Sequence, residues 1–423
     1  MNPRELLRGS FQAAIDAANP LQIVPLHLPD PPKGSTWVAG AGKAAAAMAQ
    51  AVEAHWPAHA PLHGMVITPH GHRLPTRRIT VIEGGHPLPD AQGEQATRTL
   101  LEAVRRLGPD DLLLGLFSGG GSSLLSAPIV GLTLDAYQAI TRQLLLCGAP
   151  IQAINTVRKH LSIALGGKLA AACRAPVHSL IISDVTDNDP THIASGPCAP
   201  DPTRFQDVLA LLERYAISVP PPVMQLLHTH SQQGIEETPK PGDPLFRNVK
   251  NRVIATAHQS LAAAARFFQA RGITPLILGD TVTGEAREVA QVYTAIAREV
   301  RHYGNPAQAP AVLISGGETT VTVKGSGRGG RNTEFLLALA LALRGLENVY
   351  ALACDTDGID GTETSAGAIL TPDTLDRATQ LGLDPAASLD DNDTATFFEQ
   401  LNDLVITGPT HTNVNDYRAI LVL

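Results

Sequence analysis

Residues 111–125, DLLLGLFSGGGSSLL, are an apolar run that breaks into three glycines flanked by hydroxyls. A strand apolar at successive positions is buried on both faces, the condition of a parallel sheet covered by helices. The break then falls beyond the carboxyl end of a strand, where ligands of such sheets bind. Free N–H groups at the following helix start form an anion nest, and glycines let the backbone approach a phosphate closely. The plain alternative is a flexible turn.

Outward from this segment, short β-like runs alternate with Ala- and Leu-rich helical stretches. The runs are Thr36 to Val38, Gly64 to Thr68, Ile79 to Ile82, Asp111 to Phe117, His178 to Ser183, Val253 to Ala255, Pro275 to Leu278, Ala311 to Ile314 and Val349 to Ala353. Alternation of this kind predicts an α/β fold with parallel sheets. A chain of 423 residues exceeds one ordinary core, so two domains are expected. Residues 217–250 are rich in Pro, Gly and polar groups without a sustained period, and read as a long connection at a domain boundary or hinge. After Asn305 to Pro310, the last 110 residues or so make a compact lobe of ordinary domain size.

The charge balance, 32 Lys+Arg against 40 Asp+Glu, has the wrong sign for a protein that neutralises nucleic-acid backbones. A small-molecule partner is expected instead, since local groups set the potential inside a cleft. Cys147, Cys173, Cys198 and Cys354 are scattered without metal-ligand spacing and read as buried thiols of a reducing compartment. The longest apolar run, Phe335 to Leu343, is half a membrane span, and the start lacks a secretory pattern. A cytoplasmic, non-membrane protein is the expectation, with a homodimer as its candidate assembly.

The first strand leads into VAGAGKAAAAM, where Gly40, Gly42 and Ala45 fit the dinucleotide pattern G-x-G-x-x-A and Lys43 resembles a shortened phosphate-loop lysine. A phosphate loop needs Gly at position 37 and Ser or Thr at 44, where Trp37 and Ala44 stand. A dinucleotide site needs an acid after the second strand, where Thr68, Pro69 and His70 stand, although Arg73 is available to a 2′-phosphate. Lys43 in a first helical turn opposes the helix dipole unless an anion sits there.

Other strand ends carry polar groups. Asp184, Asp187 and Asp189 follow one strand, where carboxylates hold Mg²⁺ or orient a hydroxyl. Gly316, Gly317, Glu318 and Thr319 repeat the glycine turn with a carboxylate, and Asp355, Asp357 and Asp360 fall within six positions. Any one aspartate at a loop start is more often a cap. Arg158 and Lys159 in NTVRKHLS, and Arg328 and Arg331 in KGSGRGGRN, supply cations, the second pair among glycines that offer little packing.

Taken in order, AGAGKA, SGGGSSLL, NTVRKHLS with GGKLA, ISDVTDNDPTHIASGP, SGGETTV, GRGGRN, DTDGIDG and GPTHTNVND resemble the glycerate 2-kinase family from about Leu6 to Val422. Members are often labelled hydroxypyruvate reductases. The resemblance implies a Rossmann-like N-terminal domain with a parallel sheet, residues 1–230 with part of 231–305 recruited. It also implies a smaller C-terminal α/β domain of MOFRL type, residues 306–423, and an active site in the cleft between the two. It implies ATP and Mg²⁺ as cofactors and D-glycerate as acceptor. Lys43 matches the family's AGKA lysine and Arg331 the arginine of its GGRN. Its S-D-V-x-G-D-D-P falls on Ser183 to Pro190, with Asp187 at the Gly, Asn188 at the catalytic Asp and Asp189 at the second. Thr333 and His411 stand where Gln and Gly are usual. Catalytic candidates are therefore Lys43, Asp187, Asp189 and Arg331. The nucleotide falls to Gly40, Gly42, Ser118, Gly119, Gly120, Gly121, Ser122, Gly316, Gly317, Glu318 and Thr319. Substrate contacts are Arg158, Lys159, Asn188 and Asn332, and metal ligands Asp189 and Asp355.

Two other classes compete: an NAD(P)H-dependent hydroxypyruvate reductase, and a non-catalytic sensor that needs the anion nests but no acidic loop. The missing ribose carboxylate makes a direct prediction. Hydroxypyruvate added to purified protein should cause no oxidation of NADH or NADPH above the blank, whereas enzyme-dependent loss of nicotinamide absorbance would favour the reductase.

Overall fold

The computed structural model describes residues 2–423. They divide into two compact units, Pro20–Ile254 and, secondly, the chain up to Asn19 together with Ala255–Leu423.

In the first unit, β1 (Thr36–Ala41), β2 (Leu62–Pro69), β3 (Ile79–Gly84), β4 (Leu112–Phe117), β5 (Val177–Ile182) and β6 (Val249–Ala255) form one sheet in the order β3-β2-β1-β4-β5-β6. The pairs from β3 through β5 are parallel. This is the doubly wound order, which reverses direction between β1 and β4. Those strands run in register from Thr36 opposite Leu112 to Ala41 opposite Phe117, so they end level. Every residue of β4 is buried, which is why LLLGLF shows no alternation. The helix Ala45–His55 buries a row of alanines with Met48 and Val52, small side chains that let it lie close to the sheet.

The same unit carries a helical cluster in which Tyr137, Ile140, Ile154, Val157, Phe205, Leu212, Val223 and Leu227 pack together. Part of it comes from the stretch read as a structureless connection. Residues 221–233 are a helix that buries Val223, Leu227 and His230, and a short 3-10 turn follows at Pro244–Asn248. Prolines are tolerated in a first helical turn, where their missing N–H has no partner to lose. The cluster Pro220-Pro221-Pro222 therefore starts a helix.

In the second unit, β7 (Thr274–Glu285), β8 (Ala311–Thr320), β9 (Val349–Asp355), β10 (Gly367–Leu370), β11 (Leu404–Val405) and β12 (Asp416–Val422) form a sheet in the order β11-β10-β9-β12-β8-β7. Only β7 and β8 pair in parallel, and the remaining pairs are antiparallel. The expectation of parallel sheets thus holds in the first unit and not here. The central strand β12 is wholly buried, but its polar opening, Asp416-Tyr417-Arg418, hides it from a reading by hydrophobic runs.

Helices cover both faces of this sheet. Leu6, Leu7, Phe11 and Ile15 of the helix Pro3–Asp16 join Leu261 and Phe268 of Ala257–Gln269 against Val312, Ile314, Leu352, Tyr417 and Leu421. On the opposite face, Tyr293 and Val300 of Ala286–Tyr303 join Phe335, Leu336 and Leu339 of Arg331–Leu343 against Leu313, Ala351 and Ile420. The compact units therefore differ from the division at 1–230 and 306–423, because the first helix and residues 257–303 bury their apolar faces on the second sheet. Among the described residues, no helix is long and apolar enough to cross a membrane.

Candidate active site

The first two glycine motifs meet where the strand order reverses. Gly42 has φ +135°, and a methyl group on it would lie 2.1 Å from Ser118 Oγ. A methyl on Gly40 would lie 2.4 Å from the Leu116 carbonyl. The turns are then tied by backbone: Lys43 N–H donates to Gly119 O at 2.9 Å and Ala44 N–H to Ser118 Oγ at 3.0 Å. Lys43 precedes the helix Ala45–His55, so it lies in the connecting turn and not in the first helical turn expected.

Gly120 has φ +81° and caps the short helix Gly121–Leu124. Among the described residues, the N–H groups of Gly119 and Gly120 have no acceptor, as a nest requires. A methyl on Gly120 would lie 3.1 Å from His86 Cε1 and 3.5 Å from Lys43 Cγ. Lys43 and His86 thus flank the turn, with His86 Nδ1 2.9 Å from Ser123 Oγ. His86 escaped the sequence reading, although it stands in EGGHP just beyond β3, at the edge where the other strands present their polar groups.

The acidic loop after β5 packs on the same turn. Ser195 Oγ donates to Ser122 Oγ at 2.8 Å, and a methyl on Gly121 would meet Ala194 Cβ at 2.5 Å. Asp187, Asn188, Ala194 and Ser195 all have φ between +50° and +68°, a left-handed conformation that is uncommon outside glycine and held by surrounding contacts. Asp187 is exposed, while Asp189 is half-buried and accepts from Thr191 N–H at 2.8 Å. Asn188 is half-buried, with its N–H on Val185 O.

Arg158 and Lys159 lie on the helix Ile151–Leu161, and both are buried. Lys159 pairs internally with Asp201 at 3.4 Å, an arrangement of a core ion pair more than of the substrate contact expected. Burial lowers its pKa, opposed chiefly by Asp201.

In the second unit the expected turn at Gly316–Thr319 is absent, because these residues continue strand β8. Gly317, at φ +106°, would place a methyl 2.2 Å from Val282 O, beside register shifts in the β7 pairing. These glycines permit close approach of neighbouring strands at a bulge. Thr319 Oγ1 is bonded by Arg418 at 2.9 Å.

Arg331 opens the helix Arg331–Leu343 and is already engaged by three carboxylates. Nε reaches Asp416 at 2.8 Å, Nη2 reaches Asp355 at 2.7 Å and Nη1 reaches Glu318 at 2.7 Å. Burial alone would lower its pKa, but Asp416, Asp355 and Glu318 raise it well above the ordinary value. Three carboxylates from separate strands thus share this guanidinium. Asp357 accepts from Ile359 N–H at 2.8 Å, and Asp360 accepts the Asn332 and Thr333 N–H groups at 2.9 Å each. Asn332 Nδ2 donates to Asp416 at 2.8 Å, which gives it an internal role. Among the described residues, no three His, Cys, Asp or Glu gather as metal ligands.

A doubly wound sheet that brings a glycine nest, an ammonium and an acidic loop to one edge defines an α/β enzyme that handles anionic small molecules. Residues 6–228 match the family described as a domain of unknown function (DUF4147), and residues 311–416 match the MOFRL family. The D-glycerate 2-kinase of Thermotoga maritima is 39% identical over 84% of this chain and 82% of its own length. A solved structure of glycerate kinase from Thermotoga maritima superposes with a TM-score of 0.86 at 36% identity, covering 99% of both chains. An Agrobacterium vitis protein provisionally named hydroxypyruvate reductase is 48% identical over 100% of this chain and 95% of its own. The chain belongs to the glycerate 2-kinase family.

Asp360 supplies the local prediction. Its carboxylate holds the first N–H groups of a buried helix start, so Asp360→Ala should cost about 3 kcal/mol of stability, seen as a lower urea midpoint by circular dichroism. A loss below about 1 kcal/mol would show that this cap does not hold the helix.

Proposed function

We propose that this chain is an ATP-dependent glycerate 2-kinase that moves the γ-phosphoryl group to the 2-hydroxyl of D-glycerate. The observation that carries the reading is the joined pair of turns at β1 and β4. Gly119 and Gly120 there present free N–H groups beside Lys43 and His86. Phosphoryl transfer needs positioning and positive charge opposite the phosphoryl oxygens more than covalent help. In this reading the nest binds phosphate oxygens and Lys43 neutralises charge that develops on them. Of the two loop acids, Asp189 is the half-buried one, which favours it over Asp187 as the group that orients the hydroxyl or receives its proton.

Asp189 also fits a partial Mg²⁺ site, since that ion commonly takes only one or two carboxylates beside phosphates and water. Asp355 fits less well, being paired with Arg331. When bound, Mg²⁺ would supply further neutralisation of the phosphates. Of the three carboxylates on Arg331, Glu318, 56% exposed, is the partner most readily exchanged for an external anion. The four free thiols accord with a cytoplasmic setting.

The deciding assay supplies ATP, Mg²⁺ and D-glycerate and couples the product to enolase. Signal without a phosphoglycerate mutase identifies 2-phosphoglycerate. Signal only with the mutase means transfer to the other hydroxyl, and none in either case removes the kinase reading.

Lys43→Ala and Arg331→Ala should each lower kcat by roughly 10²-fold, about 2.7 kcal/mol of transition-state stabilisation. The Arg331 variant should also melt earlier, because it removes a guanidinium that engages three carboxylates, two of them buried. Near-normal turnover in either single variant would remove that residue from the reaction.

A further inference from the structure

Among the described residues, three cationic side chains of Lys or Arg are buried: Arg158, Lys159 and Arg418. Lys159 faces Asp201 and Arg418 faces Asp416. Arg158, 7% exposed, has no acid at ion-pairing distance. Its one hydrogen bond runs from Nη2 to Pro87 O at 3.4 Å, and the titratable group that acts on it is the Tyr137 hydroxyl, itself bonded by Ser126. A guanidinium does not escape this position by losing its proton, and a buried charge without a counter-ion is strongly disfavoured. The last turn of its helix favours a cation, but that dipole effect is too small to compensate full burial.

A second observation lies three residues earlier. Asn155 shares the helix face of Arg158; it is 2% exposed, and its Oδ1 is buried without a partner. Its Nδ2 donates to His192 O at 3.3 Å, and His192 Nδ1 is likewise buried without a partner. The two elements that touch this face therefore belong to the surroundings of the nest. Pro87 follows His86, and His192 precedes the Ala194 and Ser195 contacts with Gly121 and Ser122.

We propose that Arg158 and Asn155 are the acid-binding subsite, the guanidinium taking the carboxylate of a glycerate-like hydroxy acid and the Asn155 amide oxygen accepting from its 3-hydroxyl, which leaves the 2-hydroxyl to Asp189. Arginine matches a carboxylate with two parallel N–H bonds. This assigns the carboxylate of the acid to Arg158 and leaves Lys43 for phosphate. It rests on the kinase reading for the identity of the acid and not for the existence of the subsite.

The test measures binding and turnover in the full-length protein, with D-glycerate and the uncharged analogue glycerol as probes. Glycerate should bind and stabilise the wild type, and glycerol should not. Arg158→Met should weaken glycerate binding by about 100-fold while the KM for ATP changes less than about twofold. The ligand-free Arg158→Met protein should melt later than the wild type, because an unpaired buried charge is gone. A purely structural arginine would give the opposite shift. Arg158→Lys keeps charge but not the two-bond geometry and should weaken glycerate by about tenfold, which also decides the matter should the methionine variant not fold.

Wild-type affinity for glycerate in either variant overturns the proposal. So does a wild type that glycerate does not stabilise, or a methionine variant that melts earlier with both substrates equally affected. If glycerate binding depends on Arg158 but no phosphate is transferred, the subsite stands and the kinase reading falls. If transfer occurs and the variants bind normally, the kinase reading stands and the subsite falls.

Discussion

Gly42 has no room for a side chain because Ser118 occupies the space where one would go. The contact follows from strand order: β1 and β4 are neighbours, end level, and send the chain away from the sheet at the same height. Two turns forced this close must be built from glycine and small hydroxyls, and they exchange backbone bonds at Lys43 and Ala44. The two glycine motifs are therefore one object, whose spare N–H groups at Gly119 and Gly120 survive because the other amides nearby are used up in joining the turns.

The two units distribute charge differently. In the second, Arg331 and Arg418 are paired with Asp355, Asp416 and Glu318, and Asp360 occupies the helix start that would otherwise attract an anion. In the first, a buried guanidinium and two spare amides lack such partners. On the proposed reading the first unit is ready for an anion before any ligand arrives, while at Arg331 an incoming anion competes with Glu318.

The central strands β1, β4 and β5 were legible because nearly all of their residues are buried, so their apolar runs appear almost unbroken. β12 was not, since Asp416 and Arg418 are a buried pair whose charge has no apolar signature. The helix at residues 221–233 was hidden by its own prolines. For the site, residue type and order were readable, as with Lys43 beside the Ser118–Ser122 turn. Partners distant in sequence were not: three carboxylates converge on Arg331 from β8, β9 and β12. Nothing local distinguishes Lys159, which has Asp201, from Arg158, which has no acid.

The helix Pro3–Asp16 packs on a sheet whose central strand is Asp416–Val422. On the ribosome, the helix Pro3–Asp16 must wait for the strand Asp416–Val422, which is made much later. Residues 20–254 hold a complete sheet and core of their own and emerge whole before that strand exists. Synthesis thus treats the nest-bearing unit as an insert, able to close early, while its host stays open until Asp416–Val422 is made. The helix Pro3–Asp16 lacks every partner in its sheet until residues beyond 254 emerge, which gives a nascent-chain chaperone a long opportunity at its apolar face.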